Sequence, residues 1–266
     1  MTGAGTRAGT RVGGIDEALR AQVERFVAHP VVLVASDYDG TLSELVDDPG
    51  LARPNEAAVL ALRLLAQLPR THVALVSGRS LRDLAVLSGL SGEARLVGSH
   101  GSEFEPGVID GMHPGADTLL DAITTTIADL AGRVPGARVE RKPASVAFHT
   151  RQVDPLLVPD LVASVLLGPG TMPGVSVKHG KDVVELTVVD THKGNALQQL
   201  RAAVGADAVM FVGDDLTDED AFTMLGPDDL GVKVGAGPTS AGHRVDDVAS
   251  VAELLRLVVS RRAVRS

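Results

Sequence analysis

The chain has no cysteine and no tryptophan, and its 266 residues include only one tyrosine and five phenylalanines. Without cysteine there is no disulfide and no thiolate zinc site, a pattern that fits a reducing compartment. Aromatics amount to 2% of the chain, so its 44% apolar fraction must build a core from valine, leucine and alanine. Positive charge is short as well: 25 Lys and Arg against 34 Asp and Glu leave a net charge of −9. That balance argues against a nucleic-acid partner, which needs a basic surface, yet leaves room for a small anion in a local basic pocket. No apolar run approaches the ~20 residues of a membrane span, and there is no internal repeat. The opening MTGAGTRAGTRVGG lacks an apolar centre, so residues 1–14 read as a disordered tail rather than a signal peptide. The expectation is a cytoplasmic monomer without membrane or nucleic-acid partners.

What is present is a rhythm of buried strands and amphipathic helices. VVLVAS (31–36), HVALVS (72–77), RLVGS (95–99), AVMFVG (208–213) and LGVKVG (230–235) are β-branched runs of the kind buried on both sheet faces. Helical spacing covers 15–28, 55–68, 80–90, 193–205, 218–225 and 248–262. This alternation predicts an α/β fold, a Rossmann-like parallel sheet with right-handed crossovers. Between the two halves the order changes to helix (115–133), strands (138–142, 145–151), helix (155–167), strands (174–179, 182–188), an antiparallel α+β pattern. The expected division is therefore a discontinuous core, 15–103 plus 189–266, with an inserted domain over 104–188.

Polar clusters sit where three strands end: SDYDGT after the first, SGRS after the second and DDLTDED after VMFVG. Ligands of open α/β sheets bind beyond the carboxyl ends of the strands, so these carboxylates share one rim and repel one another unless a cation joins them. Near-extended spacing lets Asp37 and Asp39 face one site while Tyr38 faces another way. Gly40 permits a tight turn there and Thr41 offers a hydroxyl. A hard, oxygen-preferring ion suits this set, and Mg²⁺ is the natural candidate. A calcium loop of the EF-hand type fits less well, because its glycine falls at position six and here it falls at four. The competing local reading is helix capping, above all for Thr217, Asp218 and Glu219.

Together these segments resemble the haloacid-dehalogenase-like phosphatases, and the resemblance extends over nearly all of the chain after residue 30. It implies that Asp37 is the nucleophile, Asp39 the general acid and base, Ser77 with Gly78 the phosphoryl-binding turn and Lys193 the cation shielding nucleophile from phosphate. It further implies a Mg²⁺ site of Asp37, Asp39 and Asp214, with Asp215 and Asp218 outside or secondary, and a C2-type cap for the insertion. An aspartyl-phosphate splits one hard step into two. The uncatalysed reaction is slow enough that the enhancement can reach ~10²¹, roughly 28 kcal/mol, so no single residue suffices.

Within the insertion, ERKPASVAFHTR and KHGKDVVEL resemble the trehalose-6-phosphate phosphatases, which carry E-x-K, then H-x-R, then G-K-x-x-V-E. The matching residues are Glu140 and Lys142, His149 and Arg151, and Gly180, Lys181 and Glu185. GSHGSE (98–103) is similar to that group's GSHGAE, with Ser102 for alanine; Thr150 and Pro143 depart from the common tyrosine and glycine. The resemblance implies hydrolysis of trehalose 6-phosphate to trehalose and phosphate, with Lys142, His149, Arg151, Lys181 and Glu185 on the substrate. The scarcity of aromatics means that a sugar must be held by polar groups. The alternatives are another cap-bearing phosphatase acting on sucrose phosphate or mannosylglycerate phosphate, and a non-catalytic phosphosugar-binding protein.

Overall fold

A computed structural model describes residues 14–105, 114–142, 144–180, 182–188 and 192–265. The proposed tail, apart from Gly14, therefore lies outside the described residues, as do Pro143 and Lys181. In chain order the elements are α1 (Glu17–Phe26), β1 (Val32–Ser36), α2 (Glu56–Ala66), β2 (Thr71–Val76), α3 (Leu81–Ser88), β3 (Arg95–Gly98) and β4 (Glu103–Phe104). There follow α4 (Pro114–Ala131), β5 (Arg138–Arg141), β6 (Ser145–His149), α5 (Val158–Leu167), β7 (Ser176–Gly180) and β8 (Val183–Thr187). The last are α6 (Lys193–Val204), β9 (Ala208–Gly213), α7 (Leu216–Thr223), β10 (Leu230–Val234), β11 (His243–Val245) and α8 (Val248–Ala263).

The helices begin where short polar side chains satisfy the free N–H groups of the first turn. Asp16 accepts from Leu19 N, Asn55 from Ala57 N and Ala58 N, Ser80 from Asp83 N, and Asp247 from Ser250 N. α3 and α6 end on Gly89 and Gly205, both in the left-handed region that glycine enters freely.

Contacts divide the chain into two units, Met1–Ile109 with His192–Ser266, and Asp110–Thr191. In the first, seven strands run in the order β11-β10-β9-β1-β2-β3-β4, all parallel except the short β4 beside β3. Successive β1 residues point to opposite faces. Val32 and Val34 join a core with Leu19, Val23 and Phe26 of α1, Leu62 and Leu65 of α2 and Leu254, Leu255 and Val258 of α8. Leu33 and Ala35 join a second core with Leu197 and Leu200 of α6 and Phe222 of α7. Burying each large apolar side chain contributes ~1.5–3 kcal/mol, which is how a sheet poor in aromatics is covered on both faces. From β1 the order steps outward to β2 and β3 on one side, and from β9 to β10 and β11 on the other. The reversal lies between β1 and β9, the position where such sheets leave a crevice at their carboxyl ends.

The second unit is a four-stranded antiparallel sheet, β5-β6-β8-β7. One face, with Val146, Phe148, Val184 and Leu186, packs on Leu120, Ile123 and Ile127 of α4 and Leu161 and Val165 of α5. Among the described residues, no helix is long and apolar enough to cross a membrane.

Candidate active site

β1 ends in Ser36, and its ladder continues one residue further, Asp37 N donating to Val212 O of β9 at 2.9 Å. That bond fixes Asp37 at the reversal point, where it is 3% exposed. Tyr38 turns the other way into the core, its hydroxyl on Ala52 O. Gly40 sits at φ 73°, and a Cβ there would overlap the Asp214 carboxylate. The glycine is therefore needed for backbone conformation and for room. Thr41 Oγ1 donates to Asp214 Oδ1 at 3.4 Å.

Lys193, the first residue of α6, is buried with its ammonium among carboxylates: 2.8 Å from Asp218 Oδ1, 3.1 Å from Asp37 Oδ1 and 3.9 Å from Asp215 Oδ1. Asp218 is an anchor. Its Oδ2 accepts the backbone N–H of Asp214 and of Asp215, while Asp215 caps α7 in a reciprocal capping box with Asp218. The helix thus starts at Leu216 on Asp215, two residues ahead of the expected 218, and the capping and site roles coincide in the same residues.

Burial pushes the Asp37 carboxyl well up; Lys193 opposes this and Asp218 adds to it. Burial also pushes Asp218 up to about 6 against the pull of Lys193, and Asp214 up, with Asp215 adding to the effect. For Lys193 burial works the other way, but Asp37 and Asp218 outweigh it and hold the ammonium above its ordinary value. The site thus concentrates negative charge that one lysine does not fully offset.

Could a cation fit? Asp37, Asp214 and Asp218 each place a carboxylate oxygen within 4.8 Å of the others. Asp37 Oδ1 is buried and, although ion-paired with Lys193, receives no aligned hydrogen bond. An all-oxygen donor set with an unsatisfied buried carboxylate fits a hard divalent ion. Because both Asp218 oxygens already accept hydrogen bonds, Asp37 and Asp214 are the side chains with lone pairs to offer it.

Asp39 lies differently from the sequence expectation of a metal-ligating carboxylate. Arg79 Nε and an Nη grip both its oxygens at 2.6 Å, while the other Nη donates to Pro49 O at 2.8 Å. The same guanidinium lies 5.3 Å from the Tyr38 ring centroid, a cation–π contact. Arg79 was visible inside SGRS but carried no sequence-based role. Lys233 was also missed: a lone lysine in the buried GVKVG strand, it donates to the Asp214 carbonyl. Ser77 is buried at the end of β2, and its Oγ accepts from Arg79 N at 3.2 Å. Asp37, Asp39, Ser77, Gly78, Arg79, Lys193 and Asp214 all line one cavity of about 620 Å³.

The remaining candidates belong to the second unit. Register sets Glu140, Ala147, Glu185 and Lys178 in one row across its four strands, and Arg138, His149, Val183 and Gly180 in the next, on the face away from α4 and α5. Glu185 accepts from Lys142 Nζ at 3.1 Å and Ser145 Oγ at 2.6 Å. Burial alone would raise the Glu185 carboxyl, but these two bonds and the Lys142 and Lys178 charges hold it below its usual range. His149 Nε2 pairs with Glu140 at 2.9 Å. Arg151 is exposed in the turn after β6.

The trehalose-phosphatase family model matches residues 35–249. The chain belongs to the trehalose-phosphatase family. Trehalose-phosphate phosphatase of Mycobacterium marinum is 37% identical over 250 residues, covering 87% of this chain and 62% of that protein. The chain thus spans about three fifths of the length of several curated relatives it matches, among them those of Mycobacterium marinum and Mycobacterium avium. Among solved structures, trehalose-6-phosphate phosphatase of Aspergillus fumigatus is similar with a TM-score of 0.64 and 25% identity, over 91% of this chain and 97% of that one. A haloacid-dehalogenase-like hydrolase from Bacteroides thetaiotaomicron shares the fold, with a TM-score of 0.60 at 14% identity over 85% of this chain and 98% of that one. In this family member the matched segment runs from the last residues of β1 into α8, and so includes every cavity residue named above.

Proposed function

We propose that this protein hydrolyses trehalose 6-phosphate to trehalose and phosphate, with Mg²⁺, and that residues 104–188 act as the cap selecting the sugar. The observation that carries the reading is the buried Asp37 beside Lys193 and Asp214 at the carboxyl rim of β1, in a chain of the trehalose-phosphatase family. Mg²⁺ held by Asp37 and Asp214 supplies positive charge against the phosphate and its nucleophile.

An Asp37 carboxylate oxygen attacks phosphorus, and the bond from phosphorus to the sugar oxygen breaks. The departing oxygen takes a proton from Asp39, giving trehalose and an aspartyl-phosphate. Asp39 then takes a proton from water, whose oxygen attacks phosphorus and breaks the bond to Asp37, releasing phosphate. Arg79 pairs with both Asp39 oxygens; when Asp39 carries the proton, one of those bonds opens and the other keeps the carboxyl oriented. Lys193 and the Ser77–Gly78 turn hold the phosphoryl oxygens. In the cap, Lys142 and Glu185 bind sugar hydroxyls, His149 binds the substrate, and Arg151 or Lys181 helps hold its phosphate. Cysteine-free composition suits work in the cytoplasm.

The test is phosphate release from trehalose 6-phosphate, sucrose 6-phosphate and mannosylglycerate phosphate, with and without Mg²⁺. The reading expects a Mg²⁺-dependent preference for trehalose 6-phosphate that Asp37→Asn abolishes. Equal rates on the three esters defeat the sugar assignment, and turnover surviving Asp37→Asn defeats the nucleophile.

A further inference from the structure

GSHG is the one segment singled out by the sequence to which the site has so far given no task. Its backbone is unusual. Among the described residues four that are not glycine have positive φ, and two of them are adjacent here, Ser99 at 49° and His100 at 56°. Each such residue costs about 1–2 kcal/mol in the left-handed region, and conformations of this kind persist where the surroundings over-determine them, often at functional sites.

The surroundings do so. Ser99 N donates to Arg79 O at 2.7 Å and His100 N to Ser77 O at 2.9 Å, tying the segment to both ends of the Ser77–Arg79 turn. Glu103 locks it from behind, accepting Ser99 Oγ at 2.7 Å and, through its other oxygen, Leu81 N at 2.8 Å. Gly98 gives the close approach that this needs, since a Cβ there would meet Leu81 and Arg79 backbone. The strained pair delivers the partly buried His100 ring to the wall of the cavity holding Asp37, Ser77, Gly78 and Lys193. There its Nε2 edge occupies the space of a residue-78 side chain, 2.6 Å from where a Cβ would stand. If the turn alone were required, glycine or asparagine would make it at lower cost. Strain is retained here for an imidazole.

We infer that His100 contacts the substrate, its imidazole donating a hydrogen bond to the phosphoryl group of a phosphomonoester seated against the Ser77–Gly78 turn. The inference rests on the phosphatase reading above and adds a donor to Lys193 and the turn itself.

His100→Asn keeps a residue that tolerates left-handed backbone, and His100→Gly removes the strain at position 100 while leaving that at Ser99. Kinetics on trehalose 6-phosphate and p-nitrophenyl phosphate, inhibition by inorganic phosphate and urea unfolding are measured for both variants and the wild type. The expected result is a fall in kcat/KM of tenfold or more on both substrates and weaker phosphate inhibition. His100→Gly is also expected to unfold at a urea concentration equal to or above the wild type. A stable but impaired variant is what a purely structural histidine would not give. Activity within twofold of wild type on both esters overturns the inference. A loss confined to trehalose 6-phosphate also overturns it, placing the ring against the sugar, as does a loss that tracks a lowered unfolding midpoint. If the wild type turns over neither ester, the phosphatase reading fails instead, and calorimetry of phosphate binding by wild type and variants still decides the role of His100.

Discussion

Gly40→Ala tests the proposed metal site through one added methyl group. The alanine Cβ would stand 2.7 Å from the farther oxygen of Asp214, and nearer still to the rest of that carboxylate, where ordinary contact begins at 3.4 Å. The carboxylate must therefore withdraw by at least about 0.7 Å, against a Mg²⁺–oxygen distance of about 2.0–2.1 Å that the ion holds closely. Disturbing groups that orient metal ligands costs about 10–100-fold in affinity or activity, and moving a ligand itself should cost no less. The backbone penalty of alanine at φ 73° is separate, about 1–2 kcal/mol. Gly92→Ala isolates it: φ is 79° and nothing lies within 4 Å of its Cβ position. Calorimetric Mg²⁺ titration, phosphate release and urea unfolding of both variants separate the two effects. Both should lose the backbone share of stability, Gly40→Ala at least as much as Gly92→Ala because of its overlap with Asp214, and only Gly40→Ala should lose Mg²⁺ affinity and turnover. Wild-type Mg²⁺ affinity in Gly40→Ala would refute the assignment of Asp214 as a ligand.

Arg262 is a buried cation held by Thr71 Oγ1 and by the carbonyls of Val27, His29, Pro30 and Arg70. Arg262→Met should cost about 3 kcal/mol or more, since buried acceptors lose their donor; a loss below about 1 kcal/mol in urea unfolding would contradict this. Lys193→Met should lower kcat by about a hundredfold or more, read by phosphate release at saturating substrate. The Glu185 carboxyl is held below its ordinary 4.5 in the folded chain, so its stabilisation is present above that pH and fades as pH falls through the lowered value. Glu185→Gln should therefore unfold earlier than wild type at pH 7 and draw level in strong acid, and a gap unchanged down to pH 3 would count against the pairing.

Strands and helices were legible because each buried run is short, β-branched and bounded by turn residues, as in VVLVAS before DYDGT. β4 and β11 were not, because two- and three-residue edge strands such as Glu103–Phe104 carry no period to count. In the site, Asp37, Ser77 and Asp214 stood out from their places after strands and Lys193 only through the family resemblance, and the structure brings all four to one cavity. Long-range pairings were not: nothing local to SGRS shows that Arg79 reaches back forty residues to Asp39. Nor does GSHG announce left-handed dihedrals, since Ser and His commonly adopt others and it is the bonds to the Ser77–Arg79 turn that impose these. Lys233 read as an ordinary strand residue, because its partner is a main-chain carbonyl supplied by another segment.

The pairing of β1 with β9 has a bearing on biosynthesis. The strand leading to Asp37 borders a strand that follows it by 176 positions, which a ribosome adding about 5–20 residues per second reaches roughly ten to thirty-five seconds later. The inserted unit draws its four strands and two helices from one continuous stretch and can condense while that wait lasts. The nascent β1 edge, aliphatic up to Ser36, must stay unpaired on one side until β9 has been made, which makes that interval the period of greatest exposure to aggregation and to chaperones.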